Sequence, residues 1–429
     1  MGLDDEIREI GERLRDAPDR VAGTIANMAG RVSDKAAGPA FALMRKRKPI
    51  ISTDAVTVVS LHEDVTEVLG DPERFTAGLY GPKMEAVTGA FILGVDDTPL
   101  YHHDHAAMDR AVRSEDLPAI AEQTYGAAHE LVQAAHADAG EIDTVSGIAE
   151  PVLDRVISSY FGTPGPNTAT QIRWARNVFW ELFINVNNLA EVRERALADA
   201  AEWRPHLDGL IAQRKAQIEA GEDVPDDVLT RLLRFQDEGE PNFHDISIRH
   251  NILGNITGWI PTISNAFPRA IDELLEREDE LEGAQQAARS GDRELVSRYI
   301  FEASRFNPQN FALLRLCPQE TRIAAGTERE TTVKAGSTVF AGTLSAMFDE
   351  RAIDAPNEFR VDRPWSDYML FGHGLHTCYG QQIVRQQLPA LAAALLEGPR
   401  IRRARGGDGK LAWDGPFPSG LSVRFDDDD

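Results

Sequence analysis

The sequence predicts a mainly α-helical protein with small β-sheets, built around one large domain. Residues 116–239 contain successive segments whose apolar residues recur at helical spacing. Residues 245–276 have the length and period of one long buried helix, and residues 381–396 form a further amphipathic helix. Stretches rich in β-branched residues are short by comparison, as in residues 55–61, so the β-sheets should be small.

Composition limits the possible partners. The chain has 429 residues, 42% of them apolar, which is enough for a large core. Its net charge of −24 argues against nucleic acid as a partner and against general attraction to anionic membranes. We expect no transmembrane segment, because no apolar run is long enough, and no signal peptide. Two cysteines do not make a disulfide framework, which fits a cytoplasmic setting.

The chain divides into three predicted regions. Residues 1–49 form an amphipathic N-terminal arm, residues 50–425 form the domain, and residues 426–429 form a solvated acidic tail. The arm ends near a basic run at residues 45–48. Two interpretations stay open for it: a helix or loosely held tail packed on the domain, or a peripheral contact with a membrane or partner.

A glycine-rich loop that ends on a cysteine is the most informative stretch. Residues 371–380 read Phe-Gly-His-Gly-Leu-His-Thr-Cys-Tyr-Gly and lead directly into the helix predicted from Gln381. Cys378 should therefore lie at a helix N-terminus, where the helix dipole favours a thiolate. Backbone N–H groups of such a loop can point at the sulfur and tune a bound metal. The alternative is a buried free cysteine.

This loop resembles the heme-binding loop of the cytochrome P-450 superfamily, Phe-x-x-Gly-x-His/Arg-x-Cys-x-Gly, with every fixed position filled from Phe371 to Gly380. The resemblance covers residues 50–425 and implies the cytochrome P-450 fold. It implies that Cys378 is the axial ligand of the iron of heme b. It further implies an oxidoreductase, a monooxygenase or peroxygenase, acting on a hydrophobic small molecule. The chain has no flavin or iron–sulfur module, so electrons come from ferredoxin and reductase, or peroxide replaces them.

The resemblance also suggests which residues bind the heme propionates. His105 takes the position of a propionate-binding His, and the Arg expected one turn later is Asp109, for which Arg110 or Arg113 could compensate. Arg315 and His376 match two further propionate ligands. A zinc site in the His-rich stretch at residues 102–105 is the alternative, although neighbouring residues of a helix do not face one another.

The long helix at residues 245–276 resembles the family's distal helix, in which an acid and an alcohol relay protons during oxygen activation. Gly258 and Thr262 fit the small residue and the alcohol, so we predict catalytic roles for Gly258, Thr262 and Asn265. Trp259 replaces a second glycine, and Pro261 stands where the acid is expected. Pro261 has no N–H group and clashes with the preceding turn, so the helix should bend or open there.

The missing acid leaves the oxygen source open. A proline at this place resembles relatives that use peroxides, namely fatty-acid peroxygenases and hydroperoxide isomerases or dehydratases. The peroxygenases have an Arg before that proline, whereas this chain has Ile260. The other interpretation is that water, through Thr262 or Asn265, supplies the protons. A non-catalytic heme-binding protein is a further alternative.

Three residues should stabilise the loop without taking part in chemistry. Glu302 and Arg305 stand at positions i and i+3 of a predicted helix at residues 295–306, so they can pair directly. They resemble the Glu-x-x-Arg pair of the family, which a third residue, here Arg363, joins. Two β-hairpins are predicted as well, at residues 331–340 and 411–425, and Phe91, Ile92 and Leu93 are candidate pocket residues.

Overall fold

The computed structural model describes residues 37–239 and 243–426. The α-helices are α1 (Ala37–Arg47), α2 (His62–Gly70), α3 (Gly81–Val87), α4 (Pro99–Ala111), α5 (Leu117–Asp138), α6 (Glu150–Phe161), α7 (Thr168–Phe179), α8 (Ala190–Glu219), α9 (Val228–Asp237), α10 (Asp245–Leu275), α11 (Glu278–Arg289), α12 (Arg293–Phe306), α13 (Thr343–Ala346) and α14 (Gln381–Leu396). The strands are β1 (Ile50–Ser52), β2 (Val56–Val59), β3 (Glu141–Asp143), β4 (Leu313–Leu316), β5 (Thr321–Ile323), β6 (Thr331–Val333), β7 (Thr338–Ala341), β8 (Arg400–Arg403), β9 (Ala412–Asp414), β10 (Phe417–Gly420) and β11 (Ser422–Asp426).

Helix α10 is the centre of the largest hydrophobic core. It packs against α7, α12, α6 and α14, and α14 packs along α5. Buried residues occur all around the C-terminal half of α10, as expected for a helix surrounded by other helices. The helix continues through Pro261, so the predicted opening there does not divide it. This confirms the predicted mainly α-helical class.

A four-stranded sheet forms a second layer at the side of the helices. Its strand order is β1-β2-β7-β4, in which β2 and β7 run parallel and the other pairs are antiparallel. Helix α1 covers this sheet through buried Phe41 and Met44, which pack with Ile51 and Phe340. The part of the predicted arm that the structure describes is therefore packed on the domain. The arm's residues 1–36 lie outside the described residues.

Both predicted hairpins are wrong in their pairing. Strand β6 pairs with β5, through Val333 opposite Thr321, whereas β7 pairs with β2 and β4. Near the end of the chain, β9 pairs with β10, and β11 pairs with β8 and β3. In each predicted hairpin the first strand pairs with another nearby strand, whereas the second strand, β7 or β11, joins a sheet formed with distant segments and buries its apolar residues there.

The predicted acidic tail begins one residue too early. Asp426 is the last residue of β11 and lies opposite Arg400 in the sheet. Its carboxylate forms ion pairs with Arg402 Nε at 2.5 Å and with Arg424 Nη1 at 2.6 Å. Asp426 therefore belongs to the domain, and residues 427–429 lie outside the described residues. Among the described helices, none is long and apolar enough to cross a membrane.

Candidate active site

The loop before α14 has a backbone that glycine makes possible. The N–H group of Cys378 donates to the carbonyl of Phe371 at 2.9 Å, which brings the two ends of the loop together. Gly374 has a φ of +74°, and a Cβ there would come within 2.4 Å of the Leu69 carbonyl oxygen at the end of α2. Only glycine fits so close to that backbone, so α2 and the loop hold each other in place.

The Cys378 side chain opens into a large internal cavity. Cys378 lies two residues before Gly380, the N-cap of α14, and its side chain is exposed on the cavity lining. Burial raises the pKa of the thiol, and the backbone N–H groups of Gly380 and Gln381 oppose this rise by hydrogen bonding to the sulfur. The sequence-based expectation of N–H groups directed at the sulfur therefore matches the geometry. Such contacts suit a sulfur that carries negative charge when it binds a metal.

Elements from the whole length of the chain line the cavity. One wall is α10, another is the segment between α12 and β4, and the third is the loop with the start of α14. Among the predicted site residues, those on the lining are Gly258, Thr262, Arg315, Phe371, His376, Cys378 and Gly380. The predicted pocket residues Phe91, Ile92 and Leu93 line it as well.

Arg315 and His376 mark a place in the cavity that suits an anion. Arg315 is only 4% exposed, and its Nη1 donates to the Leu314 carbonyl at 2.9 Å. No described carboxylate forms an ion pair with it. Both ring nitrogens of His376 are enclosed without a hydrogen-bond partner among the described residues. Burial, and then the charge of Arg315, lower the pKa of His376 to about 4.

Arg315, His376 and Cys378 are suited to bind heme. A buried guanidinium and an imidazole without partners need anionic acceptors, which the two propionates of a heme provide. Cys378, on the same cavity lining, offers a sulfur to the iron. Most of the other lining residues are apolar or aromatic, as a flat hydrophobic macrocycle requires. The residues present therefore fit heme.

Two predicted propionate ligands lie elsewhere. Arg110 is directed towards α9, where its guanidinium covers the ring of Phe235 at 4.0 Å and lies 3.5 Å from Glu238. His105 lies outside the cavity lining, and its Nδ1 is 3.0 Å from a carboxylate oxygen of Asp109. The position of Arg110 gives no support to propionate binding. His105 borders the site through the ring of Tyr379, 5.2 Å away, but does not line it.

Sequence reasoning missed Tyr101, which lies one turn before His105 on α4. Its hydroxyl donates to the Leu375 carbonyl at 2.7 Å, and its ring meets that of His376 edge to face. Tyr101 thus joins α4 to the cysteine loop. The available signal was its i, i+4 spacing to His105. The alternative of a zinc site is not supported, because no group of three His, Cys, Asp or Glu side chains in the described residues could hold a metal.

The distal wall of the cavity has an alcohol but no acid. Thr262 Oγ1 donates to the Gly258 carbonyl at 2.6 Å and to that of Trp259 at 2.9 Å. No Asp or Glu occurs among the described residues that line the cavity. Pro261 is buried behind this wall. Asn265 is 1% exposed, does not line the cavity, and its side-chain atoms have no hydrogen-bond partner among the described residues.

Trp259 links the distal helix to the helix that follows the cysteine. Its Nε1 donates to Gln387 Oε1 at 2.5 Å, and Gln387 Nε2 donates to Thr124 Oγ1 at 3.0 Å. The indole lines the cavity and packs edge to face on Phe161. Trp259, which stands where the resemblance predicts a second glycine, therefore joins α10 to α14 and, through Gln387, to α5.

Glu302, Arg305 and Arg363 form a buried ionic cluster. Arg305 Nη2 contacts Glu302 Oε1 at 2.7 Å, and Arg363 Nε lies 3.2 Å from both Glu302 oxygens. Burial alone would raise the pKa of Glu302, but hydrogen bonds and charge from Arg305 hold it below its ordinary value. Tyr368 also donates to Glu302, at 2.9 Å. This cluster ties α12 to the segment that leads into the loop.

Comparison with curated proteins finds oxygenases of similar length. The chain is 24% identical to cyclomarin C epoxidase CymV of Salinispora arenicola over 362 residues, covering 82% of this chain and 86% of that protein. It is 25% identical to nocardicin C N-oxygenase of Nocardia uniformis subsp. tsuyamanensis over 380 residues, covering 85% and 89%. No protein-family model matches the chain.

Solved structures confirm the predicted fold. The crystal structure of CalO2 superposes with a TM-score of 0.78 at 23% identity, covering 91% of this chain and 96% of that one. The structure of CYP109E1 from Bacillus megaterium in complex with testosterone superposes with a TM-score of 0.75 at 20% identity, covering 90% and 96%. The arrangement of helices and small sheets is therefore shared over almost the whole described chain.

Proposed function

The chain belongs to the cytochrome P450 superfamily of oxidoreductases, and we propose that it uses a heme ligated by Cys378 to oxygenate a hydrophobic small molecule. One observation carries the proposal. The Cys378 sulfur opens into an apolar cavity in which Arg315 and His376 lack anionic partners. Relatives named as an epoxidase and an N-oxygenase support oxygen transfer as the reaction class.

The protein contributes binding and electrostatics to this reaction. A thiolate-ligated heme supplies the activation of the O–O bond when it is bound. Cys378 provides the thiolate, which the N–H groups of Gly380 and Gln381 stabilise. Arg315 and His376 hold the propionates, and the aromatic walls orient the substrate and exclude water. The other cysteine, Cys317, is buried between strands, with its Sγ 3.0 Å from the Gln319 carbonyl, so non-covalently held heme b is the form we propose.

We further propose that a peroxide serves better than dioxygen as the oxygen source. Dioxygen chemistry requires electrons from separate ferredoxin and reductase partners and protons delivered at the distal wall. Among the described residues, that wall offers no acid, and the Thr262 hydroxyl already donates to the carbonyls of its own helix. A peroxide arrives with a reduced O–O bond and a proton of its own, so the missing carboxylic acid costs it less. Isomerisation of a hydroperoxide is the second candidate, which the same absence of an acid favours.

Spectroscopy of the purified protein tests the first proposal. The reduced carbon monoxide complex should show the red-shifted Soret band of a thiolate ligand, and Cys378→Ala should abolish that band. Cys317→Ala is the matched control and should leave it unchanged. A normal band in the Cys378→Ala protein would overturn the assignment. Product formation with hydrogen peroxide, compared with ferredoxin, reductase and dioxygen, then tests the oxygen source.

A further inference from the structure

The cavity has an unusual distribution of charge. Arg315 is the only Arg, Lys, Asp or Glu among its described lining residues. If Arg315 and His376 hold the heme propionates, as proposed above, the remaining space for the substrate contains no charged side chain. A carboxylate or ammonium group placed there would lose its hydration without gaining a partner of opposite charge.

Three neutral amides line this uncharged space. Asn255 lies on α10, and Gln309 and Asn310 lie on the segment between α12 and β4. The Nε2 of Gln309 is enclosed and has no hydrogen-bond partner among the described residues. The Nδ2 of Asn255 is engaged with the Asn251 carbonyl at 2.7 Å, which leaves its oxygen as the group available to the cavity.

An enclosed amide donor without a partner is unfavourable, so a bound molecule with a suitable acceptor gains by supplying one. The side chains around the amides determine which hydrophobic groups that molecule can carry. They include six aromatic side chains beside aliphatic ones such as Ile92 and Ile263; the aromatic residues are Tyr80, Phe91, Phe161, Phe179, Phe183 and Trp259. Rings in such numbers favour flat or ring-containing hydrophobic partners by edge-to-face and offset contacts. The amides on the wall opposite α10 favour a carbonyl oxygen within that molecule.

We infer that the substrate is a neutral, ring-containing hydrophobic molecule whose carbonyl accepts a hydrogen bond from Gln309, and that carboxylates are excluded. This deepens the proposed function and rests on it. Gln309 is thereby a specificity-determining residue. A fatty-acid-like carboxylate would have no cation to pair with in this space, since Arg315 binds a heme propionate in the proposed function.

Binding of three matched probes tests the inference. Acetylnaphthalene has a carbonyl, ethylnaphthalene lacks an acceptor, and naphthoate carries a carboxylate on the same ring system. Their dissociation constants are measured from the Soret shift of the ferric holoprotein. Acetylnaphthalene should bind about fivefold more tightly than ethylnaphthalene, as one neutral hydrogen bond allows. Naphthoate should bind more weakly than both.

Two variants test whether Gln309 causes the preference for a neutral carbonyl. Gln309→Leu should remove the preference for acetylnaphthalene over ethylnaphthalene, and Gln309→Arg should make naphthoate the tightest ligand. Gln213→Leu, an identical change at an exposed position of α8, is the control and should alter nothing. The inference is overturned if naphthoate binds most tightly to the parent protein, or if Gln309→Leu keeps the preference. A protein that lacks the thiolate band would instead overturn the proposed function itself.

Discussion

Arg315 carries a buried positive charge that the described protein does not neutralise. Burial lowers the pKa of its guanidinium, and the groups that oppose this fall are Tyr80 and Asp96, neither of which forms an ion pair with it. Arginine nevertheless remains charged at neutral pH. A charge in this state is tolerated only if a bound anion completes the site, which is why we assign Arg315 to a heme propionate.

Arg315→Ala should therefore weaken heme retention. A charge-assisted hydrogen bond is worth about 1.5–3 kcal/mol, which corresponds to roughly 10- to 150-fold in the dissociation constant. The measurement is the rate of heme transfer from the purified protein to an excess of apomyoglobin. Arg110→Ala is the control, because that guanidinium lies against Phe235 and Glu238. Equal transfer rates for the two variants would contradict the assignment of Arg315.

At the scale of elements, the distal helix α10 lacks the acid that activation of dioxygen is expected to use. Position 261 lies one turn from both Thr257 and Asn265 on a buried face of α10. The Thr257 hydroxyl and the Asn265 amide have no hydrogen-bond partners among the described residues. Proline also leaves the Thr257 carbonyl without its helical donor. A polar side chain at position 261 would thus find hydrogen-bonding groups already in place.

Pro261→Glu should shift the oxygen source from peroxide towards dioxygen. Thr257 and Asn265 can hold the new carboxyl group behind the wall, next in sequence to Thr262, whose hydroxyl lines the cavity and can pass a proton on. Because this transfer is indirect, we expect an effect of at most about 10²-fold, the lower end for a positioned acid. The measurement is product formed per electron consumed with a surrogate ferredoxin and reductase. Pro261→Ala restores the backbone N–H without an acid and is the matched control. Equal coupling in both variants would show that proton supply does not limit the parent.

The elements that the sequence predicted well are those determined by local pattern. Helices α10, α12 and α14 begin and end within two residues of their predicted bounds, because the apolar period is a local signal. Strand pairing failed for β7, because it pairs with β2, a segment far away in the sequence that no turn signal identifies, and β6 pairs instead with the preceding strand β5.

The same difference between local patterns and long-range packing applies to the site residues. Cys378 on the cysteine loop and Gly258 and Thr262 on α10 line the cavity, because a specific motif or a strong helical period places them. Asn265, also predicted on α10, is buried away from the cavity. Arg110 and His105 do not line it either, because the choice among basic residues on α4 depends on how that helix is rotated against the loop. Gln309 was overlooked because a single amide between a helix and a strand has no pattern of its own.

At the scale of the whole molecule, the cavity lies between parts of the fold that are distant in sequence, and a ligand there would contact all of them. Helix α10, the segment after α12 and the cysteine loop each contribute a wall. Without heme, these walls expose apolar surface, leave Arg315 without an anionic partner and leave the His376 ring nitrogens without a hydrogen-bond partner among the described residues. The ionic cluster of Glu302, Arg305 and Arg363 holds the loop from the other side, so the loop depends on two supports.

Removal of heme should consequently lower the thermal stability of the whole domain. A ligand present at 1,000 times its dissociation constant adds about 4 kcal/mol to the free energy of unfolding, so the apoprotein should unfold at a distinctly lower temperature. The measurement is the difference in Tm between holoprotein and apoprotein, followed by far-UV circular dichroism. Arg315→Ala should narrow this difference mainly by lowering the Tm of the holoprotein, since only that form uses the charge. If the substitution lowers the Tm of both forms equally, Arg315 stabilises the fold rather than the cofactor.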